Sequence, residues 1–180
     1  MALSQEQLYT TEYIESLPDG QRAELIDGVV YDMAPPTSTH QRISMFFSKV
    51  ISNWIDGHSG KCMVFAAPYA VYLQDDDLTY VEPDITVICD DSKMDEKGCH
   101  GAPDWIVEIV SPSSKGMDYF VKLLKYRAAG VREYWIVDPE SRTVRIYEFE
   151  QDDRTKDYDF SEPVPVGIYP EFSIRVGEYV

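Results

Sequence analysis

The stretch WIVEIVSPSSKGMDYFVKLLKYRAAG, residues 105–130, decides the reading of this chain. Its first part, Trp105 to Val110, is an apolar run of strand length interrupted only by Glu108, followed at once by Ser111-Pro112. Such a run reads as a strand buried on both faces. Ser113 or Ser114 can then cap a helix that runs to Ala129, and Gly130 is placed to end it in a left-handed conformation. A further apolar strand follows from Glu133 to Val137.

Glu108 is the misfit. Val107 and Ile109 flank it, and Ile106 and Val110 share its face of the strand. An ionised carboxylate buried there is costly unless a cation or hydrogen-bond donors compensate it. A structural partner such as an arginine is one solution and a metal ion is another. Asp84 is similarly placed, after Pro83 at the head of the apolar run Ile85 to Cys89. If the two strands are neighbours, both acids can share one hard divalent cation, which takes one or two carboxylates and keeps waters for the rest. Lys122 shares a helix face with Asp118 and Tyr126, at i−4 and i+4. It is either half of a surface ion pair or an ammonium aimed at the acids, where it would act on a phosphate or a water. Tyr126, Tyr134 and Trp135 read as core aromatics.

Upstream, Ser4-Gln5-Glu6-Gln7 has the pattern of a capping box, and a helix is predicted from Thr10 to Leu17, ended by Pro18-Asp19-Gly20. Asp27-Gly28 between β-formers predicts a hairpin within Ala23 to Met33. Ser38 or Thr39 can cap a second helix, in which Ile43, Phe46, Phe47, Val50, Ile51 and Trp54 recur at helical spacing. Cys62 to Leu73 is β-like with a break at Pro68. Asp90 to Ala102 reads as a loop and Thr143 to Phe149 as the hairpin partner of the Glu133 strand. Residues 150–163 are polar, and the β-like tail from Val164 is placed to close an edge of the sheet. The predicted fold class is mixed α/β, one sheet with helices on its faces, in a single domain over residues 1–180.

Composition sets the bounds. At 180 residues, 44% hydrophobic and 13% aromatic, the chain can build a sizeable core. No apolar run approaches the ~20 residues that span a bilayer, so no membrane association is predicted. The first residues lack the features of a secretory signal. Cys62, Cys89 and Cys99 are odd in number and widely spaced, which argues against a disulfide framework and fits a reducing, cytoplasmic setting. The net charge of −16 repels nucleic acid over most of the surface and favours divalent cations. Lys115, Lys122, Lys125, Arg127 and Arg132 cluster in one segment, which reads as a solvated helix face. His40, His58 and His100 are too scattered for a histidine metal site. His40 either faces the acids or, the reading preferred, caps or packs its helix. Asp75-Asp76-Asp77 reads as a solvated turn. There is no phosphate loop, no dinucleotide fingerprint and no glycine-flanked nucleophilic serine.

The motifs EPDITVI, WIVEIVSPSS, the D-x-x-x-K-x-x-x-Y spacing of Asp118, Lys122 and Tyr126, and GVREYWIVDP together resemble the Uma-type putative restriction endonuclease family, a branch of the PD-(D/E)XK nucleases. ELIDGVVYDM and the helix near His40-Gln41 match its general plan, so the likeness covers residues 10–149. It implies a restriction-endonuclease-like core: a central mixed β-sheet flanked by helices, with an N-terminal helix and hairpin. It implies Asp84 and Glu108 as metal-binding acids, Lys122 as the lysine acting on water or transition state, and Glu24 as an accessory acid. Without the resemblance, Glu24 reads as an exposed acid at the head of a hairpin. It further implies Mg²⁺, with Mn²⁺ as a substitute, nucleic acid (DNA) as the substrate, and a homodimer. One departure stands out. The usual superfamily lysine follows the second acid by two residues, and here that position is Val110. The resemblance places the lysine on the next helix instead, with Lys115 as the weaker candidate. The alternative reading, motivated by Val110 and the net charge, is a catalytically inactive module of the same fold that serves as a structural or protein-binding subunit.

Overall fold

The computed structural model describes residues 7–74, 76–112, 114–150 and 154–177. The Ser4–Glu6 part of the capping box, Asp75 of the acidic turn and the Ser113 cap lie outside the described residues. A short helix α1 (Thr11–Glu15) leads to the hairpin β1 (Ala23–Ile26) and β2 (Val29–Asp32). Asp27 and Gly28 connect them at φ of 52° and 76°, the positive pair that a tight two-residue hairpin turn requires. Helix α2 (Ser38–Gly57) follows, and its cap is Thr37, whose side chain accepts the His40 backbone N–H at 3.2 Å. Next come β3 (Met63–Ala66), a cis Ala67-Pro68 bond, β4 (Val71–Tyr72), β5 (Tyr80–Val81) and β6 (Ile85–Ile88). The segment predicted as a loop holds a 3₁₀ turn at Asp91–Lys93 and strand β7 (Cys99–His100). The chain continues through β8 (Trp105–Ile109), a π-helical turn (Met117–Lys122), α3 (Leu123–Ala129), β9 (Glu133–Asp138) and β10 (Thr143–Glu148). It ends in β11 (Arg154–Asp159), β12 (Val164–Val166) and β13 (Tyr169–Ile174).

The central sheet is six-stranded and mixed, in the order β11-β10-β9-β8-β6-β3, with β8 and β9 parallel and the other pairs antiparallel. Asp84 and Glu108 therefore belong to neighbouring strands, in a register that sets Ile85 opposite Val107. The prediction of a single sheet is corrected. A second, five-stranded sheet runs β2-β1-β5-β4-β7, and the tail forms its own two-stranded sheet, β12-β13. The polar stretch of residues 150–163 contains β11, which extends the central sheet. Polar composition hid that strand because it is an edge with most of its side chains in solvent.

The pleat of β8 explains the core. Trp105, Val107 and Ile109 face α2, packing against Ile43, Phe47, Ile51 and Ile55. Ile106 and Val110 face the other way, into a cluster with Tyr126 of α3, Tyr134, and Ile26, Val71 and Val81 of the second sheet. Each such buried side chain contributes roughly 1.5–3 kcal/mol. Glu108 is carried on this second face, beneath α3. The tail hairpin covers the α2 side, where Val164, Val166, Phe172 and Ile174 join the core, so it closes a face rather than an edge. It is tied down by buried Glu133, whose carboxylate accepts the Gly167 and Ile168 N–H groups, both at 2.9 Å, and the Trp135 indole N–H at 2.6 Å. Gly130 ends α3 at φ 94°, as its sequence position predicts.

The cysteine reading is also corrected. Cys62 and Cys89 are disulfide-bonded, and Cys99 is free and buried. The register of β3 on β6 pairs Met63 with Ile88, which sets the flanking cysteines side by side although 27 residues separate them. Sequence spacing could not report that adjacency. The pairing also removes the cysteine argument for a reducing compartment. Unreduced, denatured protein should show one titratable thiol, and reduced protein all three. Replacing Cys62 and Cys89 together by serine should lower the unfolding free energy by about 3 kcal/mol in denaturant titrations, since a loop of this size loses chain entropy when cross-linked. Three reactive thiols in the unreduced chain would rule the pairing out.

Candidate metal centre and active site

Four elements bring the site residues together. The end of the β5–β6 segment supplies Asp84, β8 supplies Glu108, β1 supplies Glu24, and the π-helical turn supplies Asp118 and Lys122. All four residues singled out from sequence, Asp84, Glu108, Lys122 and Glu24, converge. The Lys122 ammonium donates to Glu24 Oε1 at 2.8 Å and Glu108 Oε1 at 2.9 Å, and lies 3.8 Å from Asp118 Oδ1. The side chains of Lys122, Glu24, Glu108 and Asp118 are each no more than 6% exposed. The surface-pair reading of Asp118 and Lys122 and the exposed-acid reading of Glu24 are both replaced by a buried ionic cluster. A π turn widens the helix at this point, as such turns often do at functional sites.

Asp84 and Glu108 lock each other through the backbone. The Ile109 N–H donates to Asp84 Oδ2 at 2.7 Å, and the Asp84 N–H points to Glu108 Oε2 at 3.3 Å. Antiparallel pairing of β6 with β8 fixes this exchange, so the two carboxylates meet at one end of the strand pair.

Three further residues belong to the site although sequence reading set them aside. Tyr126, assigned to the core, donates its hydroxyl to Glu108 Oε1 at 2.7 Å. Asp118 is a third buried acid beside Lys122. His40 places Nε2 at 3.0 Å from Asp84 Oδ2. The four-residue spacing of Asp118, Lys122 and Tyr126 was the available signal for the first two. The sequence leaves His40 between facing the acids and capping or packing its helix, because α2 meets Asp84 only in the folded chain. Behind Glu24, the Glu82 N–H donates to Glu24 Oε1 at 3.0 Å, while Arg22 and Tyr80 hold the Glu82 carboxylate. Val110 is 7% exposed and packs in the second core cluster. It offers nothing polar to the site. Lys115 pairs instead with Asp138 at 2.9 Å.

Electrostatics follow from burial. Desolvation pushes the Glu108 carboxyl up to about 8 against the pull of Lys122, with Asp118, Asp84 and Glu24 adding to the rise. Asp118 is raised to about 6, again chiefly by burial. Burial works against the Lys122 ammonium, but the charges of Glu108, Glu24 and Asp118 outweigh it and hold its pKa well above the ordinary lysine value. Burial likewise keeps Tyr126 protonated, its pKa well above the usual phenol value, so that it stays a donor to Glu108. Burial alone would lower His40, but its hydrogen bond to Asp84 and the charges of Asp84 and Asp118 raise it. Three buried carboxyl groups thus surround one lysine, with Asp84 beside Glu108, so the cluster holds more carboxyls than ammonium groups in a largely dry place.

This donor set suits a hard divalent cation. Among the described residues no three His, Cys, Asp or Glu side chains form a ready-made cage. Mg²⁺ does not need one, because it binds through one or two carboxylates and completes its shell with water and substrate oxygens. A cavity lined by Thr37, His40, Val110, Ser111, Lys115 and Asp138 lies beside His40. Among the described residues no helix is long and apolar enough to cross a membrane.

Comparisons with known proteins bear on the fold and the family. A crystal structure of a putative nuclease belonging to DUF820 from Anabaena variabilis ATCC 29413 superposes with a TM-score of 0.76 at 24% identity, covering 94% of this chain and 96% of that one. At that identity the likeness shows the fold. An uncharacterized protein of Synechocystis sp. (strain ATCC 27184 / PCC 6803 / Kazusa) is 26% identical over 128 residues, which are 71% of this chain and 66% of that protein. The chain therefore spans just under two thirds of that relative. The Uma2 family, described as "Putative restriction endonuclease", matches residues 9–176. Strand acids, helix lysine and mixed sheet lie within that matched span, and the chain belongs to the Uma2 family.

Proposed function

We propose that this protein is a Mg²⁺-dependent endonuclease that hydrolyses phosphodiester bonds, with DNA as the substrate. The observation that carries the reading is the convergence of Asp84 and Glu108 with Lys122 in a largely buried cluster that holds more carboxyls than ammonium groups. Asp84 and Glu108 hold the cation. A bound Mg²⁺ supplies charge neutralisation at the phosphate and a water of lowered pKa. Lys122 donates N–H to the attacking water or to a non-bridging phosphate oxygen, where charge develops in the transition state. Glu24 and Asp118 keep Lys122 protonated and oriented, and Tyr126 fixes Glu108. One such site cuts one strand, so cleavage of both strands calls for a pair of chains.

The net charge of −16 favours the other reading, a non-catalytic module. Many of the basic side chains are also tied to acids, among them Arg22 with Glu82, Lys97 with Glu15, Arg132 with Asp104 and Arg145 with Asp157. The two readings separate in a cleavage assay over single- and double-stranded DNA and RNA with Mg²⁺ or Mn²⁺. No cleavage of any of them, in protein that binds the metal, would favour the module.

Asp84→Ala and Glu108→Ala should each reduce cleavage at least ~10²–10³-fold and weaken Mn²⁺ binding in calorimetry. Full activity in both would sink the nuclease reading. Lys122→Met should lose cleavage by a similar factor yet bind Mn²⁺ as tightly as wild type or tighter, because a competing cation has gone. Weaker Mn²⁺ binding in that variant would show that Lys122 serves the fold rather than the reaction. Mn²⁺ affinity should also depend on pH. The folded Glu108 carboxyl, raised from 4.5 to about 8, carries a proton below that pH, and the metal must displace it. Affinity should therefore rise as pH climbs from about 5.5 toward 8 and level off above. An affinity that is flat over this range would place Glu108 outside the metal's ligands.

A further inference from the structure

The geometry points to His40 as the residue that positions Asp84 for the cation: its ring holds one carboxylate oxygen of Asp84 so that the other is presented to the metal. This rests on the metal-dependent reading above and adds a residue that the reading does not use.

His40 lies in the first turn of α2, three residues after the Thr37 cap that accepts its backbone N–H. That helix is fastened to the central sheet by Ile43, Phe47, Ile51 and Ile55. Its first turn is therefore a fixed platform, and the imidazole reaches from it to Asp84. Asp84 Oδ2 receives two donors, the Ile109 N–H at 2.7 Å and His40 Nε2 at 3.0 Å. Among the described residues Asp84 Oδ1 has no hydrogen-bond partner. One oxygen is thus occupied and the other is left for a ligand. Carboxylates that bind metals are themselves held by neighbouring donors in this way, and loss of such a donor weakens the metal site.

The other ring nitrogen separates this role from a packing role. His40 Nδ1 is buried and has no hydrogen-bond partner among the described residues. A histidine retained only to tie a helix to a sheet would gain by satisfying both nitrogens, since an unpaired buried polar atom is unfavourable. The Ile109 backbone also favours the protonated ring, but the ring's one hydrogen bond of good geometry among the described residues runs between Nε2 and Asp84. The His40 and Asp84 side chains are 15% and 16% exposed. They are more open to solvent than Lys122, Glu24, Glu108 and Asp118, and His40 lines a neighbouring cavity.

The test is Mn²⁺ binding to the intact chain by calorimetry, alongside thermal unfolding. His40→Ala should weaken Mn²⁺ binding about 10–100-fold with only a small change in metal-free Tm. His40→Gln, whose side-chain amide nitrogen falls near the position of Nε2, should recover most of the affinity. His40→Asn, whose amide falls near Nδ1, should not. The Gln and Asn variants keep the test decisive if the alanine protein fails to fold. Equal Mn²⁺ affinity in wild type, His40→Ala and His40→Asn would overturn the positioning role while leaving the nuclease reading intact. A lowered Tm with unchanged affinity would assign His40 to packing and overturn it too. If wild-type protein binds no Mn²⁺ at millimolar concentration, the metal reading itself falls, and this inference with it.

Discussion

The structure turns on one buried ammonium. Lys122 Nζ sits between Glu24 and Glu108, with Asp118 beside it. Taking a lysine and three acids out of water is expensive, and their mutual attraction offsets the cost only when the geometry is good and the remaining lone pairs are satisfied. The second requirement explains the surroundings. Tyr126 caps Glu108, the Glu82 backbone caps Glu24, and Asp84 exchanges backbone bonds with the Glu108 strand.

The same ammonium joins the two larger sheets of the fold. Glu24 belongs to the second sheet and Glu108 to the central one, and Lys122 bonds both. Apolar packing of Ile26, Val71 and Val81 against Ile106 and Ile136 supplies the adhesion. It is not directional, so it cannot fix the sheets to within a fraction of an ångström. The ionic bridge can, because hydrogen bonds and charges constrain both distance and angle. The N-terminal hairpin thus contributes to the site through a single carboxylate, and Arg22, Tyr80 and Glu82 keep that carboxylate in place.

Charge on the whole molecule and charge at the site pull in the same direction. A surface of −16 raises the local concentration of divalent cations and lowers that of phosphate polymers. A buried cluster with more carboxyls than ammonium groups does the same at short range. On the proposed reading, a nucleic-acid substrate would meet a site whose affinity for it depends on the cation, with the protein's own bases contributing little at long range.

Much of this was legible in the sequence, and the limits have physical causes. The β8 run, the Asp27-Gly28 hairpin and the Gly130 terminator are local features with local signals, and each lies where the pattern puts it. β11 and the π turn were missed, because an exposed edge strand lacks an apolar pattern and a π turn keeps the same four-residue spacing on paper as an α-helix. In the site, Asp84 and Glu108 stood out because an acid among apolar residues requires an explanation. Glu24 and Lys122 needed the family resemblance, since an acid beside a hairpin and a lysine on a helix are ordinary alone. The choice for His40 between the acids and its own helix, the burial of Asp118, the hydroxyl bond of Tyr126 and the Cys62–Cys89 bond were decided only in the folded chain. What the sequence determined by itself is what depends on neighbours along the chain: strand, helix, turn, and the anomaly of a buried charge. Only the tertiary structure decided which distant groups answer that charge, because a hydrogen bond about 3 Å long is set by sheet register and helix docking, to which residue spacing is blind.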